Sequence, residues 1–295
     1  MTVAGQAESF WYQTSKQLAP TLTQLAAGQI PAEGPVAAPM AARILSAAIK
    51  GADEVPKQLN AIKGDTQALR EADYKTGIKH LKTAQRIASK AENEINARAR
   101  QEKQQECVEE VTKAKDHFMK AQGLAQGRFS EAVIEYYLGI CWTILKQKDL
   151  ARDNFNASYA SAKKYLAKEN KPVAAALRGY QLIEPHVDAF EKAAFVSGKI
   201  GGIGVGAVSG AVLGAAALNV FGLAGGGVAG WYAGRKYGSA MGKWQRNQVK
   251  PSLDKVRRDF NEKVEPPVRD LLIALKKLQT EAPDIQFEFV KPLPT

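Results

Sequence analysis

Apolar residues return every three or four positions along most of this chain, the period of a helix with one buried face. In residues 8–26, Phe10, Trp11, Leu18 and Leu22 mark such a face, and Pro20 is expected to interrupt it. Gly28, Pro31, Gly34, Pro35 and Pro39 make 27–39 a linker. Helix returns at about 40–50, where Ala42, Ile44, Leu45, Ala48 and Ile49 align, and a further short piece ends near Gly64. No proline lies between Thr66 and Gln126, and Ile78, Leu81, Ala84, Ala88, Ala91 and Ile95 form a stripe. The polar run 98–106 breaks it, and Val108, Val111, Ala114 and Phe118 resume it. One long helix, or two with a break near 100, is predicted, in a coiled coil or elongated bundle.

Residues 129–168 read as a helical hairpin, with Ser130 as a cap and Lys148-Asp149 at the turn. A helix at about 172–197 follows, kinked at Pro185. Pro251 suits the first turn of another, Pro266-Pro267 is expected to end it, and Val268, Leu271, Leu272, Leu275 and Leu278 form the last. The tail alternates Ile285, Phe287 and Phe289, as an edge strand or docking peptide would. The whole predicts an all-α fold, an elongated helical bundle of eight to ten helices without significant sheet. Its divisions are 1–64 (short helices and linker), 65–197 (bundle), 198–244 (glycine-rich hairpin) and 245–295 (amphipathic helices and tail).

The glycine-rich part holds the most specific pattern. Gly198, Gly202, Gly206, Gly210, Gly214, Gly222, Gly226, Gly230, Gly234, Gly238 and Gly242 fill eleven of twelve positions in steps of four, and Leu218 fills the other. Glycine inside a helix costs about 1 kcal/mol relative to alanine. Eleven would cost roughly 10 kcal/mol, the stability of a whole domain, unless close backbone packing offsets it. A four-residue step drifts about 40° per repeat against the helical turn, which favours a right-handed crossing.

Charge falls in the same frame. From 200 to 234 no residue is charged, and between Glu191 and Asp254 none is acidic. Lys192, Lys199, Arg235, Lys236, Lys243 and Arg246 flank the apolar run, and Trp231, Tyr232, Tyr237 and Trp244 gather near one end like an interfacial belt. A single helix of that length would be about 52 Å long against a hydrocarbon core of about 30 Å. A hairpin turning near Leu218-Asn219-Val220 fits better and keeps both basic ends on one side. The segment resembles glycine-zipper membrane-hairpin proteins and, more loosely, pore-forming helical toxins that store an apolar hairpin inside a bundle. That resemblance implies membrane insertion and self-association. The competing reading makes the same hairpin the tightly packed centre of a soluble bundle.

Residues 132–165 resemble a single tetratricopeptide repeat, with Leu138, Gly139, Trp142, Ala151 and Phe155 in the large, small, aromatic, small, aromatic order. The resemblance implies hairpin geometry; without a second copy it does not imply a peptide-binding array.

The net charge of +11 favours an acidic partner. The basic residues of 66–126 alternate with acids, as on a solvated helix face, whereas the unopposed cations sit beside the hairpin. That placement predicts an anionic lipid surface and a homo-oligomer, disfavours nucleic acid, and leaves room for a protein partner through the 129–168 hairpin. The N-terminus shows no secretory signal, so membrane association from the cytosolic side is expected. Gly202-Ile203-Gly204-Val205-Gly206 lacks the flanking strand of a dinucleotide loop. His80, His117 and His186 lack metal-ligand spacing, Cys107 and Cys141 read as packed thiols, and the Asn156-Ala157-Ser158 sequon reads as chance. No catalytic constellation, metal or cofactor is predicted, and the expected class is non-enzymatic.

Overall fold

The computed structural model describes residues 9–30, 37–52, 72–197 and 250–289. Among them the backbone is helical almost throughout, with no strand. The α-helices are α1 (Phe10–Ala26), α2 (Ala38–Ala52), α3 (Ala72–Glu92), α4 (Ala97–Gln122), α5 (Phe129–Ile144), α6 (Lys148–Ser197), α7 (Lys250–Asp259) and α8 (Glu265–Glu281). The fold is an all-α helical bundle. The chain divides into two compact units, one of residues 1–165 with 266–295 and the other of residues 166–265.

In the first unit the centre is α5. It is apolar on nearly every side, and such a helix must be surrounded. Of its sixteen residues only Glu131 and Trp142 are not buried. Trp11 of α1 meets the Tyr136 ring edge-on at 5.0 Å, and Phe118 of α4 stacks on Tyr137 at 5.4 Å. Aromatic pairs of this kind contribute beyond their buried area. The two phenol groups reach polar partners, as buried hydroxyls must. Tyr136 donates to the Trp11 carbonyl at 3.3 Å and lies 3.0 Å from the Ser15 hydroxyl, while Tyr137 donates to the Ala48 carbonyl at 3.3 Å.

Four local expectations are corrected. Of the two readings of 66–126, the described residues follow the second, two helices, with the break displaced from near 100. The break falls at 93–96, where the Asn96 side chain accepts from the amides of Arg98 and Ala99 and caps a new helix. α4 then folds back along α3, which leaves Ile95 exposed in the turn instead of on the stripe. Pro20 sits inside α1 without ending it. Ser130 is a buried residue of α5, not its cap; the cap position is Arg128, and Glu131 accepts instead from the Gly127 amide at 2.7 Å. Finally, α6 runs unbroken from the hairpin turn through 168–172 to Ser197, where two helices were expected.

The C-terminal part also departs from expectation. One π-helical turn, Phe260–Val264, links α7 to α8, so Pro266-Pro267 opens a helix instead of closing one. As far as Phe289 the tail is no strand. After a 3-10 turn at Pro283–Ile285 and a left-handed Gln286, it lies on α6 of its own chain. Phe287 meets Phe155 edge-on at 6.3 Å, Phe289 stacks on Tyr159 at 4.7 Å, and the Glu288 amide donates to Asn156 Oδ1 at 2.9 Å.

In the second unit, Ala176 and Leu253 are buried, and Lys263 pairs with Asp259 at 2.7 Å one turn away.

Candidate functional site

Helices α1 and α2 contain no carboxylate, yet they carry Lys16, Arg43 and Lys50. On α2, Arg43, Ser46, Ala47 and Lys50 stand at i, i+3, i+4 and i+7, so they share one face. On α1, Lys16 stands next to Gln17 and one turn from Gln13. The third wall is α3, whose Gln85 amide donates to the Ser89 hydroxyl at 3.2 Å. Together the three helices border an open cleft of about 650 Å³. Alanine and serine on α2 leave the space between the longer cationic side chains. Glu92 is the only carboxylate among the described residues of its lining, so three cations stand against one anion there. The arrangement presents a guanidinium, two ammonium groups, carboxamides and hydroxyls to one volume. No periodicity argument finds it. The absence of acids from α1 and α2 could have.

Two further polar groups sit inside the first unit. His80 and His117 stack at 5.5 Å between ring centroids, each with its Nδ1 on a carboxylate: Glu110 at 2.7 Å and Asp73 at 2.8 Å. Burial resists the ionisation of Glu110, but bonds to His80 and Lys113 hold its carboxyl below the ordinary range. These pairs join α3 to α4 and act as a polar clasp on the hairpin. Glu135 is different. It is 5% exposed, accepts from Gln122 at 3.3 Å through Oε1, and has no partner for Oε2. Burial pushes its carboxyl up to about 7, Glu131 adds to the rise, and Ser161 and Gln122 pull it back.

Cys107 and Cys141 are free and buried. Burial, helped by Glu106 and Glu110, pushes the Cys107 thiol up to about 12, and burial raises Cys141 as well. Thiols held protonated out of solvent are poor nucleophiles. A disulfide reagent at pH 8 is therefore expected to leave both unmodified in the folded protein and to titrate both in guanidinium. Rapid native labelling of either would contradict the packing described. Ser158 of the sequon is buried and donates to the Ala132 carbonyl at 2.7 Å.

The glycine positions singled out in the sequence, Gly198 to Gly242, lie outside the described residues, as do Lys199, Trp231, Arg235, Lys236, Lys243, Trp244 and Arg246. The Lys192 backbone belongs to α6, but its side chain lies outside the description, and so does that of His186. Among the described residues no helix is long and apolar enough to cross a membrane, and no cluster of His, Cys, Asp and Glu has metal-binding geometry. Comparisons with protein families, curated proteins and solved structures give no match to this chain.

Proposed function

We propose that this chain is a non-enzymatic, membrane-active protein that inserts or packs through the 198–242 hairpin and self-associates there, to form pores or to remodel or tether membrane. One observation carries the reading: eleven glycines hold a four-residue register across a stretch uncharged from 200 to 234, with cations and no acids at its borders. Close glycine-mediated packing offsets a cost of roughly 10 kcal/mol that a loose linker would have no reason to bear. Anionic headgroups are the natural counterpart of the flanking lysines and arginines.

The test is flotation, crosslinking and dye release with anionic and neutral vesicles, using the full chain and two variants. Gly210→Leu removes close backbone approach while raising hydrophobicity. It is expected to float with anionic vesicles like the parent but to lose crosslinked oligomers and leakage. Gly210→Ala, which still permits close approach, is expected to keep most of both. A parent protein that is folded and floats with neither lipid would refute the membrane reading. Unchanged oligomers and leakage in Gly210→Leu would refute the role given to the glycines.

A second reading, a soluble helical scaffold with the glycine segment as packed core, has its own support in the tail. α6 holds a non-helical segment by two aromatic contacts and one side-chain bond to its backbone, from Asn156 to the Glu288 amide. A helical surface of that kind can hold a partner peptide. Loss of all vesicle binding from a monomeric, folded sample favours this reading.

A further inference from the structure

We propose that the cleft between α1, α2 and α3 is a binding site for a phosphoryl group. Like charges gathered on one surface repel, so three cations around one cleft are costly unless counter-charge arrives. Within the described residues neither α1 nor α2 can supply it, because neither carries an acid. Among the described residues no ion pair engages Lys16, Arg43 or Lys50, whereas on the neighbouring hairpin Lys103 is tied to Glu94, Lys113 to Glu110 and Lys115 to Asp116. A bound phosphoryl group supplies counter-charge that the described lining lacks.

The donor set specifies its chemistry. Arginine offers a planar fork that matches two oxygens of a phosphoryl group, and lysine ammonium groups add point charge. Ser46 and the Gln17 amide supply neutral donors for the remaining oxygens. The volume of about 650 Å³ suits a small molecule or a headgroup and is too open for a purely apolar occupant. Glu92, at the α3 end of the lining, offsets one of the three cations and can accept from a hydroxyl beside the phosphoryl group. A free phosphate ester and a phospholipid headgroup share this chemistry. The cleft lies wholly in the first unit and uses no residue of the glycine segment, so the inference is independent of the membrane reading.

The experiment uses the full chain, sodium pyrophosphate by calorimetry, and vesicles of phosphatidylcholine with or without phosphatidic acid. Variants are Arg43→Gln, Lys50→Gln and their pair, with Lys90→Gln as a control that removes an exposed cation outside the cleft. All three positions are solvent-exposed, so folding is expected to survive, and unchanged Tm verifies it. Saturable pyrophosphate binding, weakened on the order of tenfold by each cleft substitution and unaffected by Lys90→Gln, is the expected result and identifies a soluble phosphate ligand. Cleft-dependent binding to phosphatidic acid vesicles alone supports the site and identifies a headgroup. Binding that Lys90→Gln weakens as much as Arg43→Gln, or no cleft-dependent binding to either probe, overturns the proposal. Vesicle binding indifferent to the cleft variants also overturns it while leaving the hairpin reading standing.

Discussion

Gly139→Leu is expected to destabilise the first unit by about 3 kcal/mol or more, among the largest effects of any single substitution in it. A Cβ added at Gly139 would lie 2.5 Å from one edge carbon of the Phe155 ring and 2.7 Å from two others. The ring has no route of escape. It is fully buried, with Tyr136 against it at 5.5 Å between centroids and Phe287 at 6.3 Å. Even Gly139→Ala should destabilise, although alanine gains about 1 kcal/mol in helix propensity, because no methyl group fits at that distance. The same argument predicts a smaller cost for Gly77→Ala, whose nearest neighbour is the Phe118 ring at 2.8 Å, and none for Gly123→Ala, which meets only the Lys120 carbonyl at 3.7 Å. Denaturant titration of the four variants checks the order. Phe155→Leu supplies the coupling: Gly139→Ala should cost markedly less in that background, since the clash and the ring are one interaction. Equal costs in both backgrounds would show that the contact is not what makes Gly139 necessary.

That contact also shows what was legible. The spacing of Gly139, Trp142, Ala151 and Phe155 points to a hairpin, and two helices with a turn at 145–147 stand there. Helical period gave the fold class and most of the core, because a buried face must recur with the turn of the helix whatever it packs against. Boundaries were less legible. Asn93 and Asn96 are turn and cap residues inside a stretch without proline, and the polar run after them points to 100 instead. Between the expected ends at 168 and 172, α6 continues without a break. Single-chain pattern is weakest where neighbours decide. The cleft draws Lys16 from one helix and Arg43 and Lys50 from another, and the clasp pairs His80 with Glu110 and His117 with Asp73 across two helices. Such juxtapositions depend on which helices touch, and sequence spacing does not state that. For the same reason Glu135 passed unnoticed, as one acid among many in an amphipathic chain.

Glu135→Gln is expected to stabilise the protein by about 3 kcal/mol at pH 8 and to change little at pH 4. Glu135 has a carboxyl raised from 4.5 to about 7, chiefly by burial. In the unfolded chain it loses its proton near the ordinary value, while the folded protein keeps that proton to about 7. Between those values the folded state binds the extra proton, so stability falls as pH rises. The favourable contribution of the neutral acid is fully present below about 4.5 and is gone once pH has passed about 7. Above that the fold carries a buried anion that Ser161 and Gln122 support only in part, with a bare Oε2. Glutamine keeps the shape, can still accept from Gln122, and never ionises, so it removes the penalty without opening a cavity. Glu135→Ala is less informative, because its cavity cost masks the electrostatic gain. The measurement is the stability difference between parent and Glu135→Gln across pH 4 to 8. A difference that grows with pH and levels off above about 7 fits a carboxyl trapped among α4, α5 and α6. A flat difference, or one that grows toward acid pH, would show that Glu135 is already ionised and satisfied in the folded protein.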